Sequence, residues 1–273
     1  METQHVPYVP PAPATGRRKF IYNVGIALGV VLVAFAWLLV GLGVIPATPT
    51  DDILAVVVLF ALFSPWAAFL DNPGETRTRT QRFAEFAFGW LLLSGIAQTF
   101  WEIPWFFMDL TGIVQGIGPD DRWLWPWWTY GVADTRYLTS NPAIAGIEFC
   151  AGTAGPFELL ACWLFYKGRR IEANWLALLL GVGLTWGTLV FFWAEVHVGF
   201  VNVKDGAFGF WVKWFGLNLP WMLSPFFFIP ASIWELAELY EARGEARALA
   251  RERVLEKAPE PVMEGVGVPS PAE

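Results

Sequence analysis

The sequence predicts an all-α, polytopic membrane bundle of about six transmembrane helices. Three observations carry this. Of 273 residues, 55% are hydrophobic and only 16% charged, whereas a soluble domain of this length carries more charge. The apolar runs are long and unbroken rather than striped. Lys and Arg fall on alternate connections, as they would if each run crossed a bilayer.

The elements follow in order. Residues 1–16 hold Pro7, Pro10, Pro11 and Pro13 without periodicity and read as a disordered tail. Arg17-Arg18-Lys19 then leads into an uncharged run, Phe20–Val44, long enough to span; residues 17–48 form a first transmembrane helix. A second run covers Ile53–Leu70, interrupted by Pro65, and a third Phe83–Met108. The connection over 109–143 is long and holds Trp123, Trp125, Trp127, Trp128 and Tyr130, the composition of an interfacial aromatic belt. Ile144–Tyr166 and Asn174–Val198 are the fourth and fifth spans. The sixth, Trp211–Leu239, carries Pro220, Pro225 and Pro230 and must kink or tilt. Residues 241–273 read as a charged helix with i,i+4 acid–base pairs, followed by a loose tail.

With six spans, one face receives every Lys and Arg except Arg122, Arg136, Lys204 and Lys213. The positive-inside rule places both termini in the cytoplasm. The net charge of −7 offers no basic face to nucleic acid. No Gly-rich phosphate loop follows a strand, and no Cys/His spacing suggests a metal, so no cofactor is expected. Cys150 and Cys162, 12 residues apart on one helix, lie roughly 18 Å from each other, too far for a disulfide.

Candidate chemistry centres on Ala97–Phe107, AQTFWEIPWFF. Between Phe83 and Met108 only Glu85 and Glu102 are ionisable. A carboxyl group so deep in an apolar segment is expensive unless it faces a cavity or a partner. Glu102 falls about nineteen residues into its span, roughly 28 Å along it, in the outer third. Glu148, Glu195, Asn218 and Trp221 fall at the same depth on other helices, with Gln98 one turn before Glu102. Such a set suits proton transfer to and from a hydrocarbon. A dry aromatic pocket keeps a carboxyl neutral, and a second carboxylate can remove a proton elsewhere. The carbocation between those steps is stabilised by an aromatic face and a nearby negative charge. Glu195 could instead cap its helix near His197, Asn218 could be interhelical glue, and Asp134 with Arg136 reads as a structural pair.

Four segments in order, WTYGVADTRYL (Trp128–Leu138), IEFCAGTAGPFELLACWLF (Ile147–Phe165), GLTWGTLVFFWAE (Gly183–Glu195) and FWVKWFGLNLPW (Phe210–Trp221), resemble the emopamil-binding protein family. Its shared EXPERA domain occurs in sterol Δ8–Δ7 isomerases, the sigma-2 receptor and related lipid-handling proteins. FWEIPWF also resembles the acid-bearing second helix of that family, and the likeness covers roughly residues 52–240. The resemblance implies a five-helix domain over 49–240, preceded here by one extra span, in the endoplasmic reticulum membrane.

It further implies Glu102 and Glu148 as the proton-transfer pair. Asn218 and Trp221 would assist it; Gln98, Trp186 and Glu195 join them as substrate-binding or cation-stabilising candidates from the residues themselves, not from the resemblance. The expected reaction shifts a sterol double bond. A non-sterol terpenoid substrate, or lipid binding without catalysis, are the alternatives. The expected partners are a sterol or terpenoid, membrane lipid and a second copy of the chain. The isomerases place His where this chain has Gln98, and a hydroxyl residue where it has Ala151. Gln98 can hold Glu102 by a hydrogen bond but cannot relay a proton.

Overall fold

The computed structural model describes residues 13–256. Among these no strand forms, and one isolated bridge pairs Asp134 with Val203. Five helical stretches are long and apolar enough to cross a membrane: α1 (Gly16–Gly41), α2 (Ala47–Phe69), α3 (Arg79–Leu110), α6 (Arg170–His197) and α7 (Gly206–Arg253). This is the make-up of a multi-pass membrane protein. Between α3 and α6 lie a short helix α4 (Trp125–Ala133) and a 25-residue helix α5 (Pro142–Tyr166). α5 has the length of a span, but Glu148, Glu158, Pro156 and a run of Gly and Ala make it less apolar than the other five.

The described residues divide into two compact units, one up to Leu236 and one from Ala237. In the second, residues 237–253 are helical and largely exposed, with many charged side chains. The expected loose tail after 257, and the first twelve residues, lie outside the described residues.

Local sequence explains where helices begin and widen. Thr78 and Gln81 form a reciprocal capping box at the start of α3. Asn141 caps α5, and Pro142 fills its first position, where no N–H is needed. α3 widens into a π turn over Gln98–Glu102, directly before Pro104. The proline has no N–H for the helical ladder and its ring crowds the carbonyl of Phe100, so a wider turn relieves both. Pro220 stands in the same relation to the π stretch Gly209–Gly216 in α7.

α5 makes its most extensive contacts with α3 and the next with α6. Glycines set its approach to α3. A Cβ at Gly155 would lie 2.8 Å from the Thr99 nitrogen, one at Gly95 3.1 Å from Glu158 Cβ, and one at Gly152 3.2 Å from Ile103 Cγ1. The two helices therefore run antiparallel in fixed register, with 95 beside 158, 99 beside 155 and 103 beside 152.

Ion pairs close both ends of this unit. At one end, Arg18 is buried between Glu75 and Glu85, 2.9 Å from the latter, and the Tyr22 hydroxyl donates to Glu85 at 2.8 Å. Arg77 reaches Glu85 at 2.6 Å and Asp71 at 2.7 Å. At the other end, Lys213 meets Asp51, Asp52 and Asp205 at 3.0, 2.9 and 2.8 Å. These contacts anchor α1 to the α2–α3 loop, and α7 to the start of α2.

One sequence expectation changes here. The tryptophans of the 109–143 connection were expected to form an interfacial belt, yet Trp125 and Trp127 are buried. Trp127 packs in a core with Trp105, Tyr137, Phe191 and Trp214. The connection folds as a cap over the helix ends, because Trp127 Nε1 finds the Trp101 carbonyl at 3.1 Å and Trp105 Nε1 the Tyr137 carbonyl at 3.2 Å. Trp123 alone of that tryptophan group remains largely exposed.

Candidate functional site: a carboxyl pair in an aromatic cavity

The π turn of α3 and the first two turns of α5 bring Glu102 and Glu148 together. Both line a cavity with Gln98, Tyr137, Ala151, Thr188, Phe191, Asn218 and Trp221. Together with the open solvent at its mouth, the space within this lining is about 540 Å³. Gln98 and Glu148 are buried, while Glu102 keeps partial access. Oε2 of each glutamate and Oε1 of Gln98 have no hydrogen-bond partner among the described residues.

Each wall is held by a specific contact. The Tyr137 hydroxyl donates to Glu148 Oε1. Asn218 Nδ2 donates to the Trp214 carbonyl at 2.6 Å and to the Tyr130 hydroxyl at 2.9 Å. Tyr130 packs edge-to-face on Tyr137, with ring centroids 4.8 Å apart. Trp221 donates from Nε1 to Ser94 Oγ at 3.0 Å and packs edge-to-face on Trp90, 5.3 Å between centroids. Gln98 and Glu102, four residues apart on α3, share one helix face, and Gly155 and Gly152 give room for the close approach of α5 there.

Of the residues singled out from sequence, the fold brings Gln98, Glu102, Glu148, Asn218 and Trp221 to this one cavity. Two do not join it. Trp186 is 67% exposed on the outer face of α6. The expectation that it stabilises a cation in this cavity is corrected by this outward position, since α6 lines the cavity with Gly183, Leu184, Gly187, Thr188 and Phe191 instead. Glu195 is buried away from the cavity. Its carboxylate accepts from Asn202 Nδ2 at 2.7 Å and lies 3.2 Å from Arg136, which is also paired with Asp134 at 2.6 Å. Glu195 therefore belongs to the ion cluster that clamps the cap. Arg136 Nη1 also donates to the Phe191 carbonyl at 3.1 Å, so the cluster fastens the cap to α6.

Tyr130, Tyr137 and Ser94 were not singled out. The two tyrosines sit within the WTYGVADTRYL segment, but their roles depend on the cap folding inward, which no periodicity reveals. Ser94 reads in sequence as a small residue of an apolar run.

No family model matches the chain, and no curated protein matches it significantly.

Proposed function

We propose that this protein is an integral membrane isomerase that moves a carbon–carbon double bond in a sterol through a carbocation. The supporting observation is the pairing of Glu102 and Glu148, from separate helices, in one cavity that also holds Trp221. Leaving two carboxylates charged in one dry, aromatic cavity is costly, so the pair holds a proton. That proton is the one delivered to the alkene. One carboxyl group protonates an alkene carbon, leaving the cation on its neighbour. A carboxylate then takes the proton from the adjacent carbon, and the double bond reforms one position along. Substrate and product have the same formula, and the pair regains its proton.

Tyr137 holds Glu148 in place for this exchange, and the indole of Trp221 offers an electron-rich surface to the cation. The resemblance to the emopamil-binding protein family, with its EXPERA domain, supports the same reading. The same reading carries six crossings with α5 counted as a span, both termini in the cytoplasm, and residence in the endoplasmic reticulum.

A second reading keeps the chemistry and changes the substrate to a non-sterol terpenoid. It is favoured by Gln98 and Ala151, which stand where the isomerases of that family place His and a hydroxyl residue. Purified protein in lipid nanodiscs, given a panel of Δ8-sterols and polyprenoids in D2O, separates the two. Conversion of a Δ8-sterol to its Δ7 isomer with one solvent-derived deuterium supports the first reading, and conversion of a polyprenoid alone supports the second. Saturable binding without turnover of any member by well-folded protein overturns both.

A further inference from the structure

Three sides of the cavity are shut by packing. Toward α3, Gly152 and Gly155 bring α5 so close that added Cβ atoms would press on Ile103 and Thr99. Toward the cap, Tyr137 and Phe191 line the cavity and are themselves buried. Toward α7, a Cβ at Gly181 of α6 would overlap the Phe228 ring, and Trp221 is tied to Ser94 at 3.0 Å.

The seam between α5 and α6 is different. Near the turn that joins them, the two helices close around Ala161, Phe165, Ala173 and Ala177. Further along, their facing residues are small. A Cβ at Gly187 would have only Ile147 in reach, at 4.0 Å, so antiparallel packing sets Gly183 beside Cys150 and Ala151. Of the described residues that line the cavity, only Cys150 and Gly183 are exposed. A Cβ at Gly183 would meet open space. Around this mouth Phe149, Phe157, Val182 and Trp186 are exposed as well, a surface that suits hydrocarbon. Behind it, Gln98 and Glu148 are buried and line the cavity with Oε1 and Oε2 unpartnered. Polar atoms left so are costly until something meets them, which points to an incoming ligand.

We propose that the α5–α6 seam is a portal through which an apolar substrate passes directly between bilayer and cavity, with Gly183 and Cys150 as its two edges. This rests on the reading that the cavity receives a sterol or terpenoid, but not on the reaction performed there. Such molecules reside in hydrocarbon and not in water, because water disfavours their apolar surface. An opening on the lipid side lets them reach the two glutamates without crossing water or unfolding the cap. Small edges admit a broad, rigid skeleton, and a bulky side chain at either edge shuts the way.

The test uses full-length protein in lipid nanodiscs, irradiated with an apolar aryl diazirine dissolved in the bilayer. Light expels dinitrogen, and the carbene inserts into nearby bonds, carboxyl O–H included; adducts are mapped by mass spectrometry. The parent is expected to carry adducts on Glu102 and Glu148 in the cavity and on the outward-facing Trp186. In Gly183→Phe the cavity adducts are expected to disappear while those on Trp186 persist. A sulfonated, water-borne aryl diazirine is expected to leave the cavity unlabelled in both proteins.

Cavity adducts that survive in Gly183→Phe overturn the proposal. So does a parent cavity left clean by the apolar label, or one reached equally by the sulfonated label. Should Gly183→Phe fail to fold, Cys150→Trp fills the same mouth from α5 and is read in the same way. Labelling gated as described, with no turnover of any sterol or polyprenoid, supports the portal and counts against the isomerase reading alone.

Discussion

The hydroxyl of Tyr137, from the cap between α3 and α5, donates to the carboxyl group of Glu148 inside the cavity. The cap is therefore part of the site's wall. The same tyrosine accepts from Trp105 through its backbone carbonyl at 3.2 Å, so its position is fixed from two sides. Tyr137→Phe keeps the ring packing and removes only the donor. In a turnover assay with whichever substrate proves active, kcat is expected to fall roughly a hundredfold, as for loss of one preorganised donor. Thermal stability should change little by comparison.

Trp221 and Trp186 offer an internal contrast. Both are tryptophans of apolar helices, but one lines the cavity and the other faces outward. Trp221→Ala should abolish measurable turnover and weaken binding of a cationic amphiphile. Trp186→Ala should leave both within about twofold, as is usual for substitutions away from packed or polar features.

The register of α3 against α5 can be broken at one atom. A Cβ at Gly155 would press on the backbone nitrogen of Thr99, which belongs to the π turn and cannot swing aside as a flexible side chain would. Gly155→Leu is expected to cost ~1–3 kcal/mol of stability. It should also displace Glu102 from Glu148. Thermal unfolding in detergent checks the first effect and loss of turnover the second. Gly146→Ala, on the same helix α5 but away from the cavity, where an added Cβ meets open space, is the control.

The ion cluster at the α1 end carries a pH signature. Glu75 is held well below its ordinary value of 4.5, at about 2, by the Arg18 guanidinium and then by the Asn72 backbone N–H. A carboxyl lowered in the folded state favours folding fully above its unfolded value. That contribution is lost as pH falls from about 4.5 through about 2. Melting temperature should therefore drop across this interval more steeply in the parent protein than in Glu75→Gln. Parallel curves would remove Glu75 from the account of how α1 is anchored.

Much of this architecture is legible in the residues. Unbroken apolar runs place α1, α2, α3 and α6, and Pro104 and Pro220 mark where α3 and α7 widen. The convergence of Gln98, Glu102, Glu148, Asn218 and Trp221 follows from depth alone, since antiparallel helices carry residues at matched depths to one level. Depth does not give rotation about the helix axis. That is why Trp186, near the same level, turns outward, and why Glu195 serves Arg136 and Asn202 instead of the cavity. Tyr137 and Trp127 escaped because an aromatic-rich connection has the same composition whether it lies on an interface or folds inward, and only the Trp101 and Tyr137 carbonyls that receive the indole N–H groups decide between them.

The most direct test follows isotope from solvent to product. Parent protein, Glu102→Gln and Glu148→Gln are incubated in D2O with the substrate found in the panel assay, and deuterium in product and recovered substrate is measured by mass spectrometry. If the two glutamates share the reacting proton, the parent places one deuterium in the isomerised product, and each variant, though folded and still binding substrate, yields none. Continued isomerisation with deuterium uptake in both variants would contradict the account, because the proton would then come from somewhere other than this pair.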